Sequence, residues 1–201
     1  MSKLREIFVL SDFLPFNDTF IVWRKKIDCR ANMSVLNTLR KRVVEVKTGL
    51  QSEMIREVLM KHQSDILEFQ SIQLLQGKAS SGDDIRPYYS EDIQPSGYFR
   101  SRDSAQRYSA WKENLYYPHS VERNPDAPNL YINGKFHEEL GVFFDSDSVK
   151  IIGATQYANN IIAKYGVQTF GLMRSYWNSV FMERGAYNEL ITNIKNILYG
   201  R

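Results

Sequence analysis

The sequence predicts an α+β fold that combines a helical hairpin, a small antiparallel β-sheet, a C-terminal packing helix and an extended N-terminal arm. Apolar residues recur at three- and four-residue steps within 34–76 and within 174–199, which is the pattern of amphipathic helices. Short apolar segments flank the polar residues 145–148, as in a β-hairpin. Residues 1–32 follow neither the helical nor the strand period of apolar residues, so we predict an extended arm there. Residues 33–201 are predicted to form a single α+β domain.

The predicted arm, residues 1–32, is rich in large apolar side chains. Polar and proline breaks divide them into clumps, so short strands around turns are expected rather than a helix. Such a segment gains stability only by lying on its own domain or on a neighbouring subunit. Four of its aromatic residues are therefore candidates for a subunit or partner interface: Phe13, Phe16, Phe20 and Trp23.

Two helices are predicted to follow the arm. Residues 34–49 place their apolar side chains mostly on one stripe, and residues 52–76 form one longer helix that Gly77 ends through a left-handed C-cap. The two helices are expected to pack together as a hairpin. His62 falls on the apolar stripe of the second helix, where a hydrogen-bonded core or boundary histidine explains it better than a ligand or a base.

Residues 77–100 are predicted to form a long loop, because Gly, Pro and Ser recur there. Asp83 and Asp84 lack the alternating oxygen ligands and the closing carboxylate of a calcium loop, so we interpret them as solvated turn residues. Tyr88 and Tyr89 lie on the same loop, and exposed aromatic side chains are costly unless they dock against a surface. Both are predicted to contribute to an interface.

A third helix is predicted over residues 102–115, capped by Ser101 or Asp103. Pro128 restricts the residue before it to extended backbone, so a strand or a straight connector is expected to begin there. Residues 129–173 are then predicted to form a β-rich module.

The module 129–173 is expected to contain a hairpin, a short helix and glycine turns. Its elements are a strand at 142–144, a strand at 149–153 and a helix at 157–165 that Gly166 stops. Gly134 and Gly171 are expected where φ is positive or where a side chain would clash. Its interface candidates are Tyr131, Lys135 and Phe136.

The clearest amphipathic segment is residues 174–199, which Gly185 interrupts. Trp177 and Phe181 lie on its wide apolar stripe. This stripe is expected either to pack on the domain's own sheet or to contact a second subunit, because large aromatic side chains anchor interfaces. A ring would repeat one modest contact until the rotation closes.

Charge and cysteine content exclude several classes of protein. The chain has 26 Lys and Arg against 23 Asp and Glu, a net charge of +3, which is too small for long-range attraction to a polyanion. The basic clusters 24–26 and 40–42 are either solvated faces or local contacts to nucleic acid or an acidic partner. Cys29, the single cysteine, excludes an intrachain disulfide and a thiolate metal site, and it is expected to be buried and inert. No apolar run fits a membrane span or a signal peptide, so no membrane partner is expected. The protein should remain where it is made or be built into an assembly there.

The order of several motifs resembles one known family. Four stretches carry the resemblance: 130–136, 149–155, 164–166 and 170–172. Together they are similar to the C-terminal half of tail-completion, or head-to-tail connector, proteins of tailed bacteriophages. The shared order is a Gly followed by an aromatic residue, a β-hairpin, and a short helix that ends in Tyr-Gly before an apolar continuation. Asn133 and Lys135 depart from the Thr or Ser and the small or acidic residue that are usual there.

The resemblance implies a virion-structural protein with no catalytic, cofactor-binding or metal-binding residues. The implied partners are further copies of the chain in a homo-oligomeric ring, the portal or neighbouring neck proteins, and tail proteins, with room for non-specific contact to passing DNA. The implied location is the neck of the virion, after assembly in the host cytoplasm.

Two other classes of function stay open from the sequence. A nucleic-acid-binding accessory protein of DNA packaging or processing would use the basic residues 24–26 and 40–42 with exposed tyrosines. A hydrolase would use His119 and His137 with Glu138 or Glu139, but the second histidine of a zincin motif is missing. The protein is therefore expected not to be an enzyme.

Overall fold

The computed structural model describes residues 33–49, 53–93, 98–145, 148–153 and 158–200. Helices dominate this part of the chain and one two-stranded antiparallel sheet accompanies them, which confirms the predicted α+β class. The predicted arm lies outside the described residues, together with its interface candidates Phe13, Phe16, Phe20 and Trp23. The basic residues 24–26 and Cys29 lie outside them as well.

Helices of 4 to 17 residues make up most of the described elements. The helices are α1 (Met33–Gly49), α2 (Glu53–Lys61), α3 (Gln63–Leu75), α4 (Arg102–Glu113), α5 (Lys135–Glu138), α6 (Ala158–Tyr165), α7 (Arg174–Asn178) and α8 (Ala186–Tyr199). The strands are β1 (Leu140–Phe144) and β2 (Val149–Gly153). A 3-10 turn covers Val167–Thr169 and a π turn covers Ser179–Glu183.

The second predicted helix, 52–76, is divided at His62 into α2 and α3, so the prediction of one continuous helix is wrong. Nδ1 of His62 lies 2.8 Å from Asp65 Oδ2, and Nε2 lies 3.4 Å from Glu189 Oε1. His62 is buried, which confirms a hydrogen-bonded boundary histidine. The apolar stripe continues through both helices, so the spacing of apolar residues in the sequence does not reveal the break. Gly77 has φ +71° after α3, as the left-handed C-cap requires.

The N-terminal and C-terminal helices meet in the fold. The helix α1 contacts α2, as the hairpin prediction requires, and it also lies along α8. Arg42 Nη1 donates to the carbonyl of Leu198 at 3.0 Å. The predicted helix 174–199 is divided by the π turn and by Gly185, whose φ is +91°. This division confirms that Gly185 interrupts the segment.

The main hydrophobic core lies between α2, α3, β2 and the C-terminal helices. Its most buried large side chains, each 2% exposed or less, are Val58, Leu59, Ile66, Leu172, Val180 and Leu190. Each of these contributes about 1.5–3 kcal/mol by leaving water. A second cluster under the loop after α3 contains Leu74, Ile85, Leu140 and Phe170.

Two buried glutamines of α3 bind the backbone that precedes α7. Gln70 donates to the carbonyl of Thr169 at 3.2 Å and accepts from the amide of Gly171 at 3.0 Å. Gln73 donates to the carbonyl of Gly171 at 2.8 Å and accepts from the amide of Met173 at 2.7 Å. Both side chains are fully buried, so their amides satisfy backbone groups that have no strand or helix partner.

The predicted hairpin is confirmed, with β1 antiparallel to β2 and Phe144 opposite Val149. Of the strand or straight connector expected after Pro128, the strand is wrong: none lies between α4 and β1 in the described residues. Leu130 has φ +52°, and the side chains of Asn129 and Asn133 accept hydrogen bonds from backbone amides two residues on, at 3.2 Å each. These turns compete with extended backbone. The module 129–173 therefore has less β-structure than predicted: within its described residues the hairpin lies between helical turns.

Candidate functional site: an exposed aromatic surface and a buried basic cluster

Several of the interface candidates predicted from the sequence pack against other residues of the same subunit. Tyr89 and Trp177 are buried, 7% and 4% exposed. Phe181 is partly buried beside Trp177, and the Phe136 ring packs edge-on against Phe170 with centroids 6.1 Å apart. The remaining described candidates are Tyr88, Tyr131 and Lys135, of which Lys135 is exposed at the start of α5. Their role in an interface stays a prediction.

Tyr88 docks on its own loop. Its hydroxyl donates to Asp84 at 2.8 Å, and the Arg86 guanidinium lies 4.1 Å from the centre of its ring. Asp84 also contacts the ammonium of Lys78 at 2.8 Å and the amide of Asn124 at 3.0 Å. Burial raises the pKa of Asp84, but these hydrogen bonds outweigh it and hold the pKa at about 2. Asp84 is thus an ionised structural hub, not the solvated turn residue that the sequence predicts.

This loop borders an open cleft of about 560 Å³. Its charged and aromatic lining includes Lys78, Asp83, Asp84, Arg86, Tyr88 and Tyr165. Because Lys78 and Arg86 are paired with Asp84 and Glu91, the charges of the cleft are largely compensated from within the loop.

Three neighbouring aromatic rings form a surface that we call the aromatic ladder: Tyr98 and Trp111, which are exposed, and Tyr108, which is partly buried. The Tyr98 and Tyr108 centroids are 5.6 Å apart, and those of Tyr108 and Trp111 are 5.4 Å apart. Tyr98 is 67% exposed and Trp111 is 46% exposed. The ladder rests on Tyr89 and Phe99, which are buried beneath Tyr108.

The helix α4 positions two of these rings. Ser101 caps it by accepting from the amide of Ser104 at 3.2 Å, and Ser104 returns the bond in a capping box, as predicted for Ser101. The helix buries only Ala105 and Lys112, so Trp111 points away from the core. Sequence reasoning predicted this helix but missed the exposure of Trp111 and the contribution of Tyr98. The three-residue spacing on a helix with few apolar residues was the available signal.

A cluster of polar side chains lies beneath α4, and we call Lys112, Arg123, Asn129 and His137 the buried basic cluster. Lys112 is 1% exposed and donates a hydrogen bond to the carbonyl of Tyr131. The Arg123 guanidinium lies 5.3 Å from the ring centre of Tyr117, with both terminal nitrogens buried and without a hydrogen-bond partner in the described chain. Nδ2 of Asn129 is also buried and has no hydrogen-bond partner in the described chain, and the residue has no exposed surface.

Burial controls the protonation of this cluster. It lowers the pKa of Lys112 to about 7, and the nearby Arg123 charge acts in the same direction. Burial also lowers the pKa of His137 to about 4, against a hydrogen bond to the Asn129 backbone. His137 is therefore neutral at pH 7. Its Nε2 donates to the Asn129 carbonyl at 3.2 Å, and Nδ1 accepts from Ser71 Oγ at 2.8 Å.

The pairing of Ser71 with His137 was missed because the two residues are 66 positions apart. It differs from an activated nucleophile, because a carbonyl and not a carboxylate orients the ring, and an imidazole with a pKa of about 4 is a weak base at pH 7. Glu138 and Glu139 are exposed, and no hydrogen bond or ion pair joins His119 to them within the described residues. The hydrolase residues are not assembled into a catalytic group.

Comparisons with known proteins give no family: no protein-family model, curated protein or solved structure matches the chain. Within the described residues, no three His, Cys, Asp or Glu side chains gather where they could hold a metal ion. Among the described helices, none has the length and apolar character needed to cross a bilayer.

Proposed function

We propose that the protein is a non-enzymatic structural component of a phage neck, where copies assemble into a ring that joins the capsid portal to the tail. The resemblance of residues 130–136, 149–155, 164–166 and 170–172 to connector proteins supports this role. The order of elements is compatible with it, since β1 and β2 precede α6 and Gly166 ends that helix with φ +86°.

The aromatic ladder is the observation that carries the assembly part of the proposal. Tyr98 and Trp111 expose large rings that both contact Tyr108. Of the other aromatic residues in the described part of the chain, most are packed and the exposed ones are Tyr116, Phe143, Tyr187 and Tyr199. Aromatic side chains are enriched at protein interfaces because they bury much area while fixing few torsions. The proposed occupant is a neighbouring copy of the same chain, because a head-to-tail contact that repeats closes into a ring.

The test is the mass of the full-length protein as its concentration is raised, measured by sedimentation equilibrium and electron microscopy. We expect a single closed oligomer for the wild type and for Tyr199→Glu, which changes an aromatic residue that is 72% exposed outside the ladder. Trp111→Glu should remain a monomer. A wild type that stays monomeric at high concentration, and does not bind portal or tail proteins, would contradict the proposal.

The second candidate is a nucleic-acid-binding accessory protein. Arg40 and Lys41 are exposed on α1, and the Lys164 ammonium, which pairs with Asp92, lies 5.9 Å from the ring centre of Tyr98, where a base could stack. Retention of the protein on single-stranded DNA that falls steeply with salt would favour this function over the connector role.

A further inference from the structure

The buried basic cluster has an excess of positive charge and of hydrogen-bond donors. Lys112 has three N–H donors and uses one on the carbonyl of Tyr131. The terminal nitrogens of Arg123 and Nδ2 of Asn129 are buried donors without acceptors. No carboxylate among the described residues forms an ion pair with Lys112 or Arg123.

Such an arrangement is costly for a subunit on its own. Buried polar groups normally have partners, and a buried cation is normally paired with an anion. Here two cations lie close enough for Arg123 to disfavour the charge on Lys112. The energetic penalty would be removed by a single anion that accepts from all three side chains at once.

We propose that Lys112, Arg123 and Asn129 form a binding site for a small tetrahedral oxyanion of the phosphate class. The planar fork of arginine binds two oxygens of such an anion, and an ammonium and an amide can each bind another. The Arg123 side chain as a whole is only partly buried, so the site has an edge through which an anion can enter. The site is independent of the proposed role in assembly.

Sulfate is the most suitable probe, because its charge does not change between pH 7 and pH 9. Calorimetric titration of the full-length protein in chloride buffer at pH 7 should show saturable binding of one sulfate per chain, and inorganic phosphate should compete with it. Arg123→Gln should weaken this binding at least tenfold. The matched control is Arg107→Gln, which removes an exposed arginine of α4 that pairs with Asp103 at 2.7 Å and should bind like the wild type.

A pH series separates a binding role of Lys112 from a purely structural one. The groups that face Lys112 are the Arg123 guanidinium and His137, whose lowered pKa of about 4 keeps its ring neutral above pH 7. Sulfate affinity should therefore fall as Lys112 loses its proton between pH 7 and pH 9, and Lys112→Met should abolish this pH response. If Arg123→Gln does not fold, the Lys112→Met variant still tests the site.

Three results would overturn the proposal: no saturable sulfate binding, equal binding by Arg123→Gln and the wild type, or acetate binding as tightly as sulfate, which would exclude a tetrahedral anion.

Discussion

Replacement of Lys112 by methionine tests the electrostatics of the buried basic cluster directly. Methionine has a similar volume and can fill the same space, so the substitution removes the charge without leaving a large cavity. Lys112 is 1% exposed, and burial followed by the Arg123 charge lowers its pKa from 10.5 to about 7. The folded protein therefore holds this proton much more weakly than the unfolded chain does.

The difference between these two pKa values corresponds to about 4–5 kcal/mol of lost stability at pH 7, at 1.36 kcal/mol for each tenfold change in proton affinity. The variant also loses the hydrogen bond to the Tyr131 carbonyl, which is worth about 1 kcal/mol, and leaves that carbonyl without a donor at a further cost of about 1 kcal/mol. We therefore expect Lys112→Met to be more stable than the wild type by roughly 2–3 kcal/mol at pH 7.

The sign of the pH dependence follows from the lowered pKa. The folded protein loses stability as the pH falls from 10.5 to 7, because Lys112 takes up its proton in the unfolded chain at a higher pH than in the folded one. Wild-type stability should rise by about 2 kcal/mol between pH 7 and pH 9, and Lys112→Met should lack this rise. Measurements stay below pH 9.5 because burial raises the pKa of Tyr108 to about 12 and so adds an opposite dependence at higher pH.

Urea unfolding in chloride buffer, followed by tryptophan fluorescence at pH 7 and pH 9, measures both effects. Lys195→Met is the control, since this lysine is exposed on α8 and its replacement should change neither the stability nor its pH dependence. If Lys112→Met is less stable than the wild type at pH 7 and keeps the same rise toward pH 9, the reasoning about the buried charge is refuted.

Three further predictions concern the interior. Because the pKa of His137 is lowered to about 4, wild-type stability should fall by about 2 kcal/mol between pH 7 and pH 5, and unfolding of His137→Gln should show less of this loss; equal losses would contradict it. Gly77→Ala should cost about 1–3 kcal/mol more than Gly185→Ala in urea unfolding, because a Cβ at Gly77 would lie 2.8 Å from the Ala127 Cβ. At Gly185 nothing lies within 4 Å of the added Cβ. Both positions have positive φ, so equal costs would argue against the contact. Gln73→Leu should cost about 2–4 kcal/mol, because it leaves two buried backbone groups unpaired, and a cost below about 1 kcal/mol would mean that water replaces the side chain.

Local signals in the sequence were sufficient for several elements. Ser101 caps α4 through bonds to Ser104, three residues away, so the cap could be recognised from neighbouring residues alone. Gly166 and Gly77 adopt positive φ where the helix patterns end. The hairpin of β1 and β2 was predictable because turn-forming residues separate two short apolar segments.

Features that depend on distant residues were not predictable in this way. Gln73 meets the backbone of Gly171 and Met173 about a hundred positions later, and nothing in its own neighbourhood indicates that it is buried. Lys112 follows Trp111 directly, yet the lysine is buried and the tryptophan is exposed. Hydrophobicity alone predicts a buried tryptophan and an exposed lysine. It fails here because the contacts that bury Lys112 come from the loop that follows α4.

The aromatic residues of the chain have to be sorted into buried and exposed ones before their number can count as evidence for assembly. Many of them serve packing: Tyr89 and Phe99 lie under the ladder, and Phe69 stacks on Tyr176 at 5.1 Å. A high number of aromatic residues is therefore compatible with a subunit that never assembles. What distinguishes the connector proposal is the narrower surface around Trp111, where the rings have no covering element among the described residues. The oligomeric state of Trp111→Glu is for this reason a sharper test than any substitution of the buried Trp177, whose loss would unfold the subunit whether or not a ring exists.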